Sequence, residues 1–124
     1  MEHTPENIGN LLPNEIFVFG SNLLGQHLGG AAKLAHDKFG ARWGVGHGIT
    51  GQCYAFPTLD ENMEPMHASN LKAYAASLKT TAELVQTKLF LLTKVGCGIA
   101  RFKEEEMIPL FADMPKNVIK PLGW

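Results

Sequence analysis

Residues Glu15 to Lys38 read EIFVFGSNLLGQHLGGAAKLAHDK. The opening EIFVF is a short apolar, β-rich run that stops at Gly20, Ser21 and Asn22, the pattern of a buried parallel strand entering a loop. Asn22 to Gly30 (NLLGQHLGG) holds three glycines and then gives way to AAKLAHDKF. There Ala31, Leu34, Ala35 and Lys38 are spaced for a helix ending near Gly40.

The same succession returns near the other end of the chain. Lys88 to Thr93 (KLFLLT) is the most apolar run and predicts a central strand. Lys94 to Ala100 (KVGCGIA) is a second glycine loop, and Lys103 to Met114 is spaced for a short helix. Between these two units, the five glycines from Gly40 to Gly51 predict an irregular stretch, mobile or close to a ligand. Gln52 to Phe56 (QCYAF) reads as a strand closed by Pro57. Pro65 opens a long helix over Met66 to Gln86, with Leu71, Tyr74, Ala75, Leu78, Ala82 and Val85 on one face. Asn117 to Lys120 suits a last short strand before Pro121. Strands alternating with helices predict an α/β domain with a largely parallel sheet.

The chain has 124 residues, 45% of them hydrophobic and 19% charged, enough apolar material for one core and too little charge for disorder. One domain over 1–124 is expected, with residues 1–14 as a loosely ordered leader. Eleven Lys and Arg against twelve Asp and Glu leave a formal net charge of −1. No global field draws in polyanions or acidic membranes, so any anion must be bound locally. No apolar run approaches a membrane span, and the polar start carries no export signal, which predicts a cytoplasmic protein without a membrane partner. Cys53 and Cys97 fit no disulfide framework, and a reducing compartment is expected. The five histidines show no metal-ligand spacing, so neither a metal nor another cofactor is expected.

In parallel sheets, ligands bind beyond the carboxyl ends of the strands, and both of the best strands run into glycine loops at that end. Glycines let main-chain N–H groups approach an anion, and a helix N-terminus adds partial positive charge, so two such loops can clamp a diphosphate. Neither loop is a P-loop, and GQHLGG lacks the full dinucleotide fingerprint spacing.

The run VFGSNLLGQHLGGAAKLA, Val18 to Ala35, resembles the macrodomain signature of a strand ending in Asn, a glycine loop and a helix. KVGCGIARF, Lys94 to Phe102, is similar to the second macrodomain loop, and GITGQCYAFPT, Gly48 to Thr58, resembles the strand between the two. The resemblance implies a three-layer α/β/α fold, here with a truncated sheet, that binds ADP-ribose or a related nucleotide diphosphate. It implies that Asn22 contacts the distal ribose, that Gly29, Gly30 and Ala31 line the first phosphate loop, and that Gly96, Cys97, Gly98, Ile99 and Ala100 line the second. ADP-ribosylated protein or nucleic acid is an implied partner.

The GCG element looks most like the branch that cleaves ADP-ribose from acidic side chains. Its catalytic Asp position is held here by Ala100, however. Thr58, Leu59 and Asp60 stand where that branch places a nucleophilic Lys. Binding is therefore the leading expectation, with hydrolysis of an ADP-ribosyl compound the alternative, using His27, His47 or Asp60 to orient a water.

Individual residues also have ordinary structural uses. An Asn at a strand end often bonds the local backbone in a turn. Cys97 is more readily a small residue packed between glycines than a nucleophile. Phe102 and Trp43 suit stacking on a base or packing in a core. His27 and His47 read as solvent-exposed loop residues, and Asp60 and Glu61 as solvated loop carboxylates. The acidic run at Lys103–Met107 complements a helix dipole.

Overall fold

A computed structural model describes residues 2–124. Five strands form one mixed, mostly parallel sheet, with three α-helices packed on it. The strands are β1 (Glu15–Asn22), β2 (Gly48–Thr50), β3 (Cys53–Leu59), β4 (Leu89–Leu92) and β5 (Val118–Ile119), in the order β2-β3-β1-β4-β5. β1 pairs in parallel with β3 and β4, β4 in parallel with β5, and only β2 runs antiparallel, against β3. The helices are α1 (Gly30–Lys38), α2 (Ala68–Leu84) and α3 (Glu104–Met107), the last continued by a 3₁₀ turn over Ile108–Phe111.

Side-chain alternation along the central strands explains the layering. Phe17 and Phe19 of β1, with Cys53 and Ala55 of β3, face α1 through Ala32, Ala35 and Phe39. Ile16 and Val18, with Tyr54 and Phe56, face the other way onto Leu71, Ala75 and Leu78 of α2, Met107 and Phe111. A strand buried on both faces has no polar side to show, which is why EIFVF and KLFLLT read as unbroken apolar runs.

Several boundaries depart from the sequence expectation, each for a physical reason. β3 runs through Pro57 to Leu59. Because β2 pairs only with Cys53–Ala55 and the Pro65 segment joins only at Thr58 and Leu59, the outer edge of β3 is free at Phe56 and Pro57, where a proline is tolerated. Within the stretch expected to be irregular, Gly48–Thr50 forms β2. Its glycines serve close backbone approach: a Cβ on Gly46 would lie 2.2 Å from the Asn22 carbonyl oxygen, and Gly44 is approached in turn by Gly25 of the first loop, whose Cβ would lie 2.3 Å from the Gly44 carbonyl carbon.

The long helix begins two residues later than Met66, because Pro65 bridges Leu59 and the Met66 N–H donates to the Thr58 carbonyl at 2.9 Å, keeping both extended. It ends at Leu84 rather than Gln86. The helix expected over Lys103–Met114 is split, since Pro109 cannot supply an α-helical N–H and the chain tightens into the 3₁₀ turn. The expected loose leader is tied down at several points: Thr4 is buried, its N–H donates to the Lys120 carbonyl at 2.8 Å and its hydroxyl to the Ile119 carbonyl at 2.9 Å, the Lys38 ammonium donates to the Gly9 carbonyl at 2.8 Å, the Leu89 N–H to the Asn14 carbonyl at 2.8 Å, and Ile8 and Leu11 pack against the core. Among the described residues, no helix is long and apolar enough to cross a membrane.

Candidate functional site

Adjacent parallel strands β1 and β4 send their following helices to opposite faces of the sheet, α1 to one and α3 to the other. That reversal opens a crevice beyond their carboxyl ends, where open α/β sheets bind ligands. A cleft of about 300 Å³ lies there. Gly20, Ser21 and Asn22 at the end of β1 form part of its lining, with Thr58 and Leu59 of β3 and Thr93–Gly96 after β4. Loop residues Gln26, Leu28 and Gly29, the first turn of α1, and Gly98, Ile99 and Ala100 complete it, with Met63 at the rim.

The cleft presents main-chain donors from two sides. α1 starts at Gly30, which holds φ +58, a backbone conformation that favours glycine. Its N-cap is Gly29, without a capping side chain, and its first turn carries no acidic residue. The N–H groups of Gly30, Ala31 and Ala32 therefore have no intrahelical acceptor and keep their partial positive charge. From the second loop, the N–H groups of Gly96, Gly98, Ile99 and Ala100 find no acceptor among the described residues, whereas Cys97 N–H is taken by the Lys94 carbonyl at 3.2 Å. Among the described residues, no carboxylate lines the cleft, and Lys94 is its one charged side chain. The lysine's Nζ lies 3.2 Å from Glu104 Oε2.

Of the residues singled out from sequence, Asn22, Gly29, Gly30, Ala31, Gly96, Gly98, Ile99 and Ala100 meet in this cleft. Cys97 and Phe102 do not line it. Cys97 turns back with its Sγ 3.7 Å from the Val95 carbonyl, and burial, reinforced by the Glu104 charge, raises its thiol pKa, which disfavours the nucleophilic thiolate. Phe102 packs against the core beneath Gly96, donating its N–H to the Gly96 carbonyl at 2.8 Å, so its ring is used for packing rather than for stacking on a ligand. Asn22 reaches the cleft wall, yet its side-chain amide closes the loop: Nδ2 donates to the Gln26 carbonyl at 2.9 Å, and Oδ1 accepts the Gln26 N–H at 3.1 Å.

The candidate acid–base residues lie elsewhere. His27, expected at the solvent, is buried among Phe19, His36 and Trp43. Its Nε2 meets the Arg42 carbonyl at 2.9 Å, and its Nδ1 has no partner among the described residues. His47 sits beside α2, edge-on to Tyr74, with the Tyr54 and Ser77 hydroxyl oxygens each 3.3 Å from Nε2. Asp60 Oδ1 accepts the N–H groups of Asn62 and Glu64 at 2.8 and 3.0 Å, the work of a turn. None of the three lines the cleft.

Sequence reasoning missed Gln26, Thr58, Met63 and Lys94 as lining residues. Gln26 and Lys94 stood inside the two loops that were recognised, but the reading there rested on the glycines, Asn22, His27, Ala31, Cys97, Ile99 and Ala100. Thr58 follows the proline that closes a predicted strand, near the carboxyl edge such a strand reaches. Met63 carried no signal. Among the described residues, no group of three or more His, Cys, Asp or Glu is placed to hold a metal ion.

The chain matches no protein-family model, no curated protein and no solved structure.

Proposed function

We propose that the chain is a macrodomain-like binding module that takes ADP-ribose, or a related nucleotide diphosphate, into the cleft beyond β1 and β4. The observation that carries this reading is the convergence of two sets of unpaired main-chain N–H groups on one hollow without a carboxylate. Hydrogen bonds from such groups to a charged acceptor contribute about 1.5–3 kcal/mol each, so a few of them hold a diphosphate without help from net charge. Lys94 adds one cation. Leu28, Met63 and Ile99, all exposed at the rim, offer apolar contact to the groups that flank the diphosphate. The volume lies at the lower end of the ~300–1,000 Å³ range of ligand pockets, so the diphosphate and one neighbour are enclosed while the rest of the ligand reaches outward.

Binding is favoured over hydrolysis because of what the cleft hydroxyls are doing. Ser21 Oγ donates to the Gly46 carbonyl, Thr58 Oγ1 to the Ser21 carbonyl at 3.3 Å and Thr93 Oγ1 to the Val18 carbonyl at 2.8 Å. Each is held as a donor to the backbone, and His27, His47 and Asp60 do not line the cleft.

Titration calorimetry with ADP-ribose tests the reading, with AMP as the ligand that lacks a diphosphate. Saturable heat with ADP-ribose and much weaker heat with AMP is the expected result. No heat at about 1 mM ADP-ribose, equivalent to less than about 4 kcal/mol of binding, overturns it.

A further inference from the structure

His27 stands in the loop between β1 and α1, yet the residue is only 3% exposed, enclosed by the rings of Phe19, His36 and Trp43. Its Nε2 lies 2.9 Å from the Arg42 carbonyl, an oxygen that can only accept, so Nε2 carries the ring hydrogen. Nδ1 is left as a bare lone pair, buried and without a partner among the described residues. His36, the neighbouring imidazole on α1, is held in the same way. Its Nδ1 lies 3.2 Å from Asp37 Oδ1, an acceptor that keeps the hydrogen on that nitrogen and leaves Nε2 free.

We propose that His27 Nδ1 and His36 Nε2 form a two-histidine zinc site that staples the first glycine loop to α1. A metal-binding imidazole almost always gives its other N–H to a backbone carbonyl or a carboxylate, which sets the tautomer and makes the ligating nitrogen more basic. This pair has one of each: the Arg42 carbonyl behind His27 and the Asp37 carboxylate behind His36. The two ring centres are 6.1 Å apart and inclined by 39°. With about 2.0–2.1 Å from zinc to nitrogen and ~1.1 Å from nitrogen to ring centre, two imidazoles on one ion have centres ~5–6.4 Å apart. The spacing falls within that span. Water fills the remaining positions from the side of His36, whose side chain is 42% exposed, while Trp43 stands edge-on to both rings. Nine residues between two histidines is no metal-ligand motif; the turn into α1 brings the rings together. Neither histidine lines the cleft, so the site is independent of what the cleft binds.

Calorimetric titration with zinc chloride tests the site on wild type, His36→Ala and Cys97→Ser. Wild type is expected to bind a single zinc ion with Kd below about 100 μM and to melt higher in its presence. Two-bond 1H–15N spectra of the histidine rings should show His27 Nδ1 and His36 Nε2 shifting together, a readout that needs no variant. His36→Ala removes a partly exposed side chain, so it should melt like wild type without zinc and bind the ion at least tenfold more weakly. Cys97→Ser, which removes the half-buried thiol, should bind it like wild type. No saturable heat at about 1 mM zinc, unchanged affinity in His36→Ala, or loss of binding in Cys97→Ser overturns the site and leaves His27 Nδ1 to a trapped water. Shifts confined to the exposed rings of His3 and His67 overturn it as well.

Discussion

In Gly29→Asp, a carboxylate would be placed at the N-cap of α1, where a helix of nine residues now starts without a side-chain cap or an acidic first turn. Gly29 has φ −164 and ψ 170, extended backbone that any residue adopts, and a Cβ there would meet only Ile99 Cδ1, at 4.0 Å. The substitution therefore carries no steric cost. Asp is a better N-cap than Gly by a few tenths of a kcal/mol, and a negative charge at the dipole's positive end adds roughly 0.3–1 kcal/mol. The sum, about 1 kcal/mol, corresponds to a rise of about 3–5 °C in Tm for a domain of this size.

The same carboxylate would take the N–H groups proposed to hold the diphosphate. A unit charge about 5 Å from another at an effective dielectric of about 20 costs roughly 3 kcal/mol, or about a hundredfold in Kd. Thermal melting and titration with ADP-ribose should thus move in opposite directions: a more stable protein with little or no binding. Gly29→Asn separates the two effects, keeping the cap without the charge, and should lose far less affinity. A Gly29→Asp protein that melts higher and still binds ADP-ribose with wild-type affinity would refute the placement of the anion at α1.

Three further outcomes are expected. Gly98→Glu should melt like wild type, because a Cβ at Gly98 meets nothing within 4 Å, and should lose ADP-ribose binding by about a hundredfold or more through charge repulsion; retained heat in the titration would count against the second loop. Gly46→Ala should cost about 3 kcal/mol in urea unfolding, since its Cβ would press on the Asn22 and Leu23 carbonyl oxygens at 2.2 and 2.8 Å; a cost below about 1 kcal/mol would mean that these two loops are not in tight contact. For His47, partial desolvation beside α2 holds the pKa below its ordinary 6.5, so the unfolded chain protonates first as pH falls and stability is lost as pH drops through that ordinary value. His47→Gln should flatten the change in stability between about pH 7 and 5, and an unaltered slope would exclude this contribution.

The two strand–glycine loop–helix units were legible in the sequence because each is a local pattern. An apolar run of strand length, a break at glycine and a helical spacing after it are all properties of neighbouring residues. The carboxyl-edge position of both loops followed from the parallel arrangement, and the eight cleft residues that were named in advance came from those two runs. Where a boundary moved, a distant partner moved it. Pro57 stays in its strand because β2 ends early on the other side, and Pro65 stays extended because Leu59 and Thr58 hold its segment.

Which side chains face the hollow was settled only when the chain closed on itself. Asn22 and Gln26 are both amides in one loop, and nothing in their spacing says that the first is consumed by the backbone of the second. Cys97 and Phe102 lie beside glycines that line the cleft, yet they point into the core. His27 entered a ring cluster with Trp43, and His47 met the hydroxyls of Tyr54 on β3 and Ser77 on α2, so neither lines the cleft. Periodicity and turn chemistry are set by covalent neighbours, so the order of residues determined the elements. The direction of a loop side chain is set by what packs against it from elsewhere, so the tertiary structure decided the composition of the site.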